Sequence, residues 1–132
     1  MKWDKYFSLG IGGLGLLVNY LWGGLDTMLQ VLFTMMVLDF IAGILCGVKN
    51  KELDSERAYL GITKKKMMIL IMVAVAVNLD NLFGTDESAR TIAIFYYIGM
   101  EGLSIIENAG KLGFPIPKKF KALFVQLQED DE

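Results

Sequence analysis

The chain has 132 residues, enough for one small domain, and its formal net charge of −2 gives no electrostatic reason to expect a nucleic-acid partner. Hydrophobic residues make up 54% of it and the mean hydropathy is +0.44, which is high for a soluble domain of this size. With no histidine and one cysteine, His-based triads, Cys/His zinc sites and an intrachain disulfide are excluded, and no cofactor or metal is expected.

A transmembrane helix needs about 20 mainly apolar residues. Four segments approach that length. The first runs from Tyr6 to Leu25. Lys2 and Lys5 precede it, but no small-residue cleavage site follows and the first alanine is Ala42, so a retained helix is expected rather than a signal peptide. Ser8, Gly12, Gly15 and Asn19 share one face. Gly10, Gly12 and Gly15 also fit a GxGxxG spacing, but no strand precedes them, so a nucleotide loop is a weak reading.

The second segment, Met28 to Val48, aligns Asp39, Gly43 and Gly47 at i, i+4 and i+8. Gly43 and Gly47 form a GxxxG, a spacing that lets helices approach closely. Cys46 lies in the same apolar run and reads as a small packing residue. Residues 49–66 then read as a long polar loop, with Asp54 and Glu56 as solvated charges and Lys64, Lys65 and Lys66 at the membrane surface. The third segment, Met67 to Phe83, carries Asn78, Asp80 and Asn81 near its far end.

The fourth segment, Thr91 to Ala109, contains Glu101, Ser104 and Asn108 at i, i+3 and i+7 on one face, with Glu107 on another. At about 0.3–0.6 kcal/mol for each central Leu, Ile or Phe, its seven large apolar residues give roughly −2 to −4 kcal/mol, and a central charge costs about 2.5–3.5. Glu101 alone offsets most of that. The segment is therefore marginal as an isolated span. It inserts only with partners, with Glu101 protonated or with Glu101 facing water, and lying flat at the interface is the rival reading. No basic residue is expected mid-span, so no internal salt bridge is expected either. Asp39 and Glu101 are left with two readings: a pore or oligomer contact, or a protonated, hydrogen-bonded packing contact.

After Pro115 and Pro117, residues 118–128 place Phe120, Leu123, Phe124 and Leu127 on one helical face, with Lys118, Lys119 and Lys121 around it. This reads as an amphipathic helix on the inner leaflet, where anionic lipids attract lysine. A solvated or self-associating helix is the alternative. The terminal acidic run reads as disordered.

Basic residues set the orientation. Lys2 and Lys5 lie at the N-terminus. Lys49, Lys51, Arg57 and Lys64–Lys66 lie in the long loop, and Lys111, Lys118, Lys119 and Lys121 lie near the C-terminus. Only Arg90 falls elsewhere. Four crossings with both termini cytoplasmic keep twelve of the thirteen basic residues on one side. The expected fold is thus an all-α integral membrane protein in a single domain: four transmembrane helices, both termini inside, and a short C-terminal amphipathic helix.

The stretches VLDFIAGILCGVKNKELDSERAYLGITKKK, NLDNLFG and FYYIGMEGLSIIENAGKLGFPIP, in this order and spacing, resemble phage holins of the toxin-secretion/phage-lysis type over about residues 31–127. The matching motifs are Asp39 with Gly43, then Gly61-Ile62 before Lys64-Lys65, then residues 101–108 followed by Pro115 and Pro117. Met100 stands where the family's pattern has Asn. The resemblance implies a non-enzymatic protein of the bacterial inner membrane that binds itself and opens lesions through which an endolysin or large toxin escapes. An antiholin is an implied partner or an alternative role. A small ion channel or proton-coupled transporter is the rival class, with Asp39 or Glu101 as its coupling residue. The strongly one-sided basic charge argues against a dual-topology version of that rival.

Overall fold

The computed structural model describes residues 2–50 and 56–129. Lys51, Asp54, the side chains of Lys49, Glu56 and Arg57, and the acidic end at 130–132 lie outside what is described. The fold is all-helical: α1 (Lys2–Trp22), α2 (Thr27–Asn50), α3 (Glu56–Phe83), α4 (Ser88–Lys111) and α5 (Lys118–Glu129). Three stretches are long and apolar enough to cross a membrane: Thr27–Val48, Gly61–Phe83 and Ser88–Lys111.

The centre of the bundle is α4, which packs against α2, α3 and α5. Leu29, Leu32 and Met36 of α2, Ile69 and Val73 of α3, and Ile94 and Ile98 of α4 form the buried core. Each set repeats at three- and four-residue steps, so each helix turns one stripe inward. The opposite faces are also apolar: Leu38, Ile41 and Leu45 of α2 and Met68, Ile71, Met72 and Val75 of α3 are exposed. In water such faces are a liability; in hydrocarbon they are the expected surface. Helix α1 has no buried residue and meets the bundle chiefly through α3. Its anchor is Trp22, whose indole N–H donates to the Leu70 carbonyl at 2.9 Å and whose ring meets Phe33 edge-on.

Two expectations need correction. Residues 49–66 were expected to be loop, but α3 is already formed at Glu56, so Lys64, Lys65 and Lys66 lie within it. Three lysines end an apolar run without ending a helix, because lysine is a good helix former. The second concerns the tail. Part of the apolar face expected to meet the inner leaflet packs on protein instead, because α5 folds back along α4 after Phe114–Pro117. The backbone carbonyl of Phe124 lies 2.6 Å from where a Cβ at Gly99 would be, and the Phe124 ring fills the space a Cβ at Gly102 would take. Those two glycines let a short helix with one aromatic face settle directly on the α4 backbone.

Candidate functional site

Asp39 on α2, Lys66 on α3 and Glu101 on α4 meet midway along the bundle. The Lys66 ammonium donates to Asp39 Oδ2 at 3.0 Å and to Glu101 Oε2 at 2.8 Å. Glu101 is 1% exposed, and Asp39 is buried as well. Ser104, one turn along α4, lies beside Asp39. An internal ion pairing, not expected from the sequence, is therefore present, and its cation is the half-buried Lys66. The signal for this was in the sequence. Lys66 shares the α3 face of Ile69, Val73, Val77 and Asp80, so carrying the helical period back past Met67 places its ammonium inside.

Asp39 Oδ1 and Glu101 Oε1 are shut off from solvent and accept no hydrogen bond from protein. Above the cluster a cleft of about 270 Å³ is lined by Asp39, Gly43, Cys46 and Gly47 of α2, by Ile62, Lys65 and Lys66 of α3, and by Ser104, Asn108 and Lys111 of α4. The two polar strips of the sequence, Asp39/Gly43/Gly47 and Glu101/Ser104/Asn108, thus face each other across one joint. A Cβ added at Gly43 would sit 4.0 Å from the Asn108 side-chain amide, an ordinary contact, so this glycine relieves no clash.

The remaining sequence candidates lie elsewhere. Asn78 is exposed and donates to the Ala74 carbonyl of its own helix. Asp80 is buried at the opposite end of the bundle, where it accepts from the Thr85 hydroxyl at 2.6 Å and from the backbone N–H groups of Ala89 and Arg90 at 2.7 and 2.8 Å. It therefore caps the start of α4 from the end of α3, a role usually filled by the residue just before the helix. Lys64 and Lys65 are exposed on α3, and Lys118, Lys119 and Lys121 are exposed on α5.

Arg90 was read only as a lone charge on a connection, yet it is 1% exposed. Its guanidinium donates to the Trp22 carbonyl at 2.6 Å, to the Gly24 carbonyl at 2.9 Å and to both carboxylate oxygens of Asp26 at 2.7 and 3.0 Å. Gly23, at φ +80°, sits against it, and a Cβ there would fall 2.6 Å from Arg90 Nε. Asp26 also caps α2 by accepting from the Leu29 N–H at 3.0 Å. The hydrogen bonds from Arg90 hold the Asp26 carboxyl below its ordinary range, against the opposing effect of burial. This second polar knot ties the ends of α1, α2 and α3 to the start of α4.

Three long helices with apolar outer faces, and with Asp39, Glu101, Asp80 and Arg90 turned inward, define a small helical membrane protein. The bacteriophage holin family matches residues 16–129, and the chain belongs to that family. It is 42% identical over 124 residues to an uncharacterized 14.9 kDa protein in the nagH 3′ region of Clostridium perfringens, covering 93% of each chain. It is 38% identical over 133 residues to an uncharacterized protein of Listeria monocytogenes, covering 98% of this chain and 94% of that one. It is 32% identical over 130 residues to a probable holin of Bacillus phage phi105, covering 98% of this chain and 91% of that one. No solved structure matches it.

Proposed function

We propose that this holin-like membrane protein acts as a holin: it accumulates in the bacterial inner membrane, binds copies of itself and opens lesions large enough for a folded endolysin or toxin to pass. The observation that carries this reading is the holin-family match, which covers α2 to α5 and the end of α1. The joint between the three apolar helices supports it. Lys66 pairs with one oxygen each of Asp39 and Glu101 where the three helices meet, and the same groups suit a water-lined opening when the helices part. In this reading both termini are cytoplasmic, α1 is a fourth crossing, and the exposed lysines of α3 and α5 lie near anionic headgroups. The partners are the bilayer, other copies of the chain, an antiholin and the escaping enzyme or toxin.

The buried acids also favour a second reading, a small ion channel or proton-coupled transporter. Timed expression with a co-expressed cytoplasmic endolysin separates the two. A holin depolarises the membrane abruptly and lets the endolysin out. A transporter gives proton or ion flux with the endolysin retained. An antiholin does neither alone, and delays lysis when expressed with a holin. Replacing Glu101 by Leu should shift the time of lysis; unchanged lysis and unchanged self-association would count against the role given to this joint.

A further inference from the structure

We propose that the Asp39–Lys66–Glu101 cluster is a proton-binding site that holds one proton between its two carboxyl groups. The inference rests on charge and lone-pair counting and stands apart from lesion formation.

One ammonium faces two carboxylates. If both acids are ionised, the middle of the bundle carries one net negative charge. Lys66 satisfies only Asp39 Oδ2 and Glu101 Oε2, which leaves Asp39 Oδ1 and Glu101 Oε1 as buried acceptors with no donor. A buried charge and two orphaned acceptors are both costly, and they lie in one place. The Ser104 hydroxyl beside Asp39 can supply a donor to that acid but no charge, so one positive charge and a donor for Glu101 are still needed. A metal ion needs room and several oxygens, and the Lys66 ammonium already occupies the position between the acids. A neutral water could satisfy an acceptor but would leave the net negative charge in the joint. A proton needs no volume. The Asp39 and Glu101 carboxyl groups lie within hydrogen-bonding reach of each other, so a proton bound to one makes it a donor to the other, and the O–H···O⁻ bond brings the cluster to net zero.

The surroundings fit one exchangeable proton. On α2 the other titratable group facing the joint is Cys46. On α3 they are Lys65 and Lys66. On α4 Lys111 lies at the cleft, with Ser104 and Asn108 as neutral neighbours. From α5 the nearest groups over this part of α4 are Phe124, Leu127 and Gln128, none of them charged. Lys66 is the one cation bonded to the acids among the described residues. The cleft reaches Asp39 from the Lys111 side and gives the proton a path: hydronium delivers it to a carboxylate oxygen, and water leaves. Loaded, the cluster joins α2, α3 and α4 as a neutral unit. Unloaded, it puts a net charge into the joint and loosens it.

Infrared spectroscopy on the full-length protein in phosphatidylcholine vesicles tests this. At neutral pH the wild type should show the C=O stretch of a protonated carboxyl. Asp39→Asn and Glu101→Gln should each abolish it, because either leaves one acid paired with one ammonium. In parallel, the folded-to-unfolded ratio of the wild type should fall by up to about tenfold per pH unit from above the ordinary carboxyl value of about 4 to the pH at which the folded cluster releases its proton, and both variants should lose that slope. Absence of the band in the wild type, or a band that survives both substitutions, overturns the proposal. If a variant fails to fold, carboxyl labelling with carbon-13 of all aspartates or all glutamates in the wild type serves instead. A band that shifts with either label supports the site, and one that shifts with neither overturns it.

Discussion

Arg90 sits three positions past the acidic pair Asp86 and Glu87 in the sequence, and this made it look like a lone charge on a connection. Nothing local shows that its partners lie more than sixty positions earlier, at the Trp22–Asp26 turn. The hints were Gly23-Gly24 two positions before Asp26, a turn open enough to admit a large side chain. Removing one partner of a buried, hydrogen-bonded charge costs about 3–5 kcal/mol. Arg90→Met should therefore lose that order of stability in detergent-induced unfolding. Arg90→Lys should recover little of it, since an ammonium cannot replace a fork that reaches two carbonyls and a carboxylate together. Asp26 makes a smaller, pH-dependent contribution because its side chain is 41% exposed. Its folded-state pKa is lowered, so this contribution is present above the ordinary aspartate value of about 4 and is lost as pH falls through the folded value. Thermal unfolding followed from pH 7 to pH 3 should show an acid-side loss that is reduced in Asp26→Asn. Equal acid slopes in the two proteins would remove Asp26 from the account.

Among the helices, α4 is the one whose apolar sum fell short for lipid, and it is the helix enclosed by three others. The deficit and the central position have the same cause. A helix that carries a buried acid and glycines on its faces packs better against protein than against acyl chains. The existence of the helices and the shared face of Glu101, Ser104 and Asn108 were legible, because both follow from a 3.6-residue period. The true start of α3 was not, because hydropathy marks where apolar residues stop rather than where a helix stops. The seat of α5 was also hidden. Its Phe120/Leu123/Phe124/Leu127 face announces that it binds something apolar, but its partner is set by Gly99 and Gly102 on α4 and by the reversal at Phe114–Pro117. Gly102→Leu should expel the Phe124 ring, at about 1–3 kcal/mol for overpacking. The expected readout is faster tryptic cleavage at Lys118, Lys119 and Lys121, with the core of α2, α3 and α4 unchanged in its resistance. Cleavage at the wild-type rate would mean that α5 does not depend on this seat.

For the whole molecule, the open question is which side of the membrane each end occupies, and α1 decides it. If α2, α3 and α4 cross with Lys111 inside, the Ser88 end of α4 and the Thr27 end of α2 lie outside. Helix α1 then either returns across the bilayer, bringing Lys2 and Lys5 in, or lies along the outer surface with both lysines out. The burial of Arg90 sharpens the choice. That residue is sequestered with Asp26, so among the described residues the outer connections present no solvated basic charge against the many exposed lysines near the inner ends. An unpaired Lys2 and Lys5 outside would break that asymmetry, and α1 is clad in exposed Trp3, Tyr6, Phe7, Leu14 and Leu16, which favour hydrocarbon over water. The four-crossing arrangement therefore makes a clear prediction. In a Cys46→Ser background, a membrane-impermeant maleimide added to intact cells should label Glu87→Cys. It should label Lys2→Cys only after the membrane is permeabilised. Labelling of both from outside would place α1 along the outer face and leave a three-crossing protein, with the joint of α2, α3 and α4 intact but the N-terminus on the opposite side from the C-terminus.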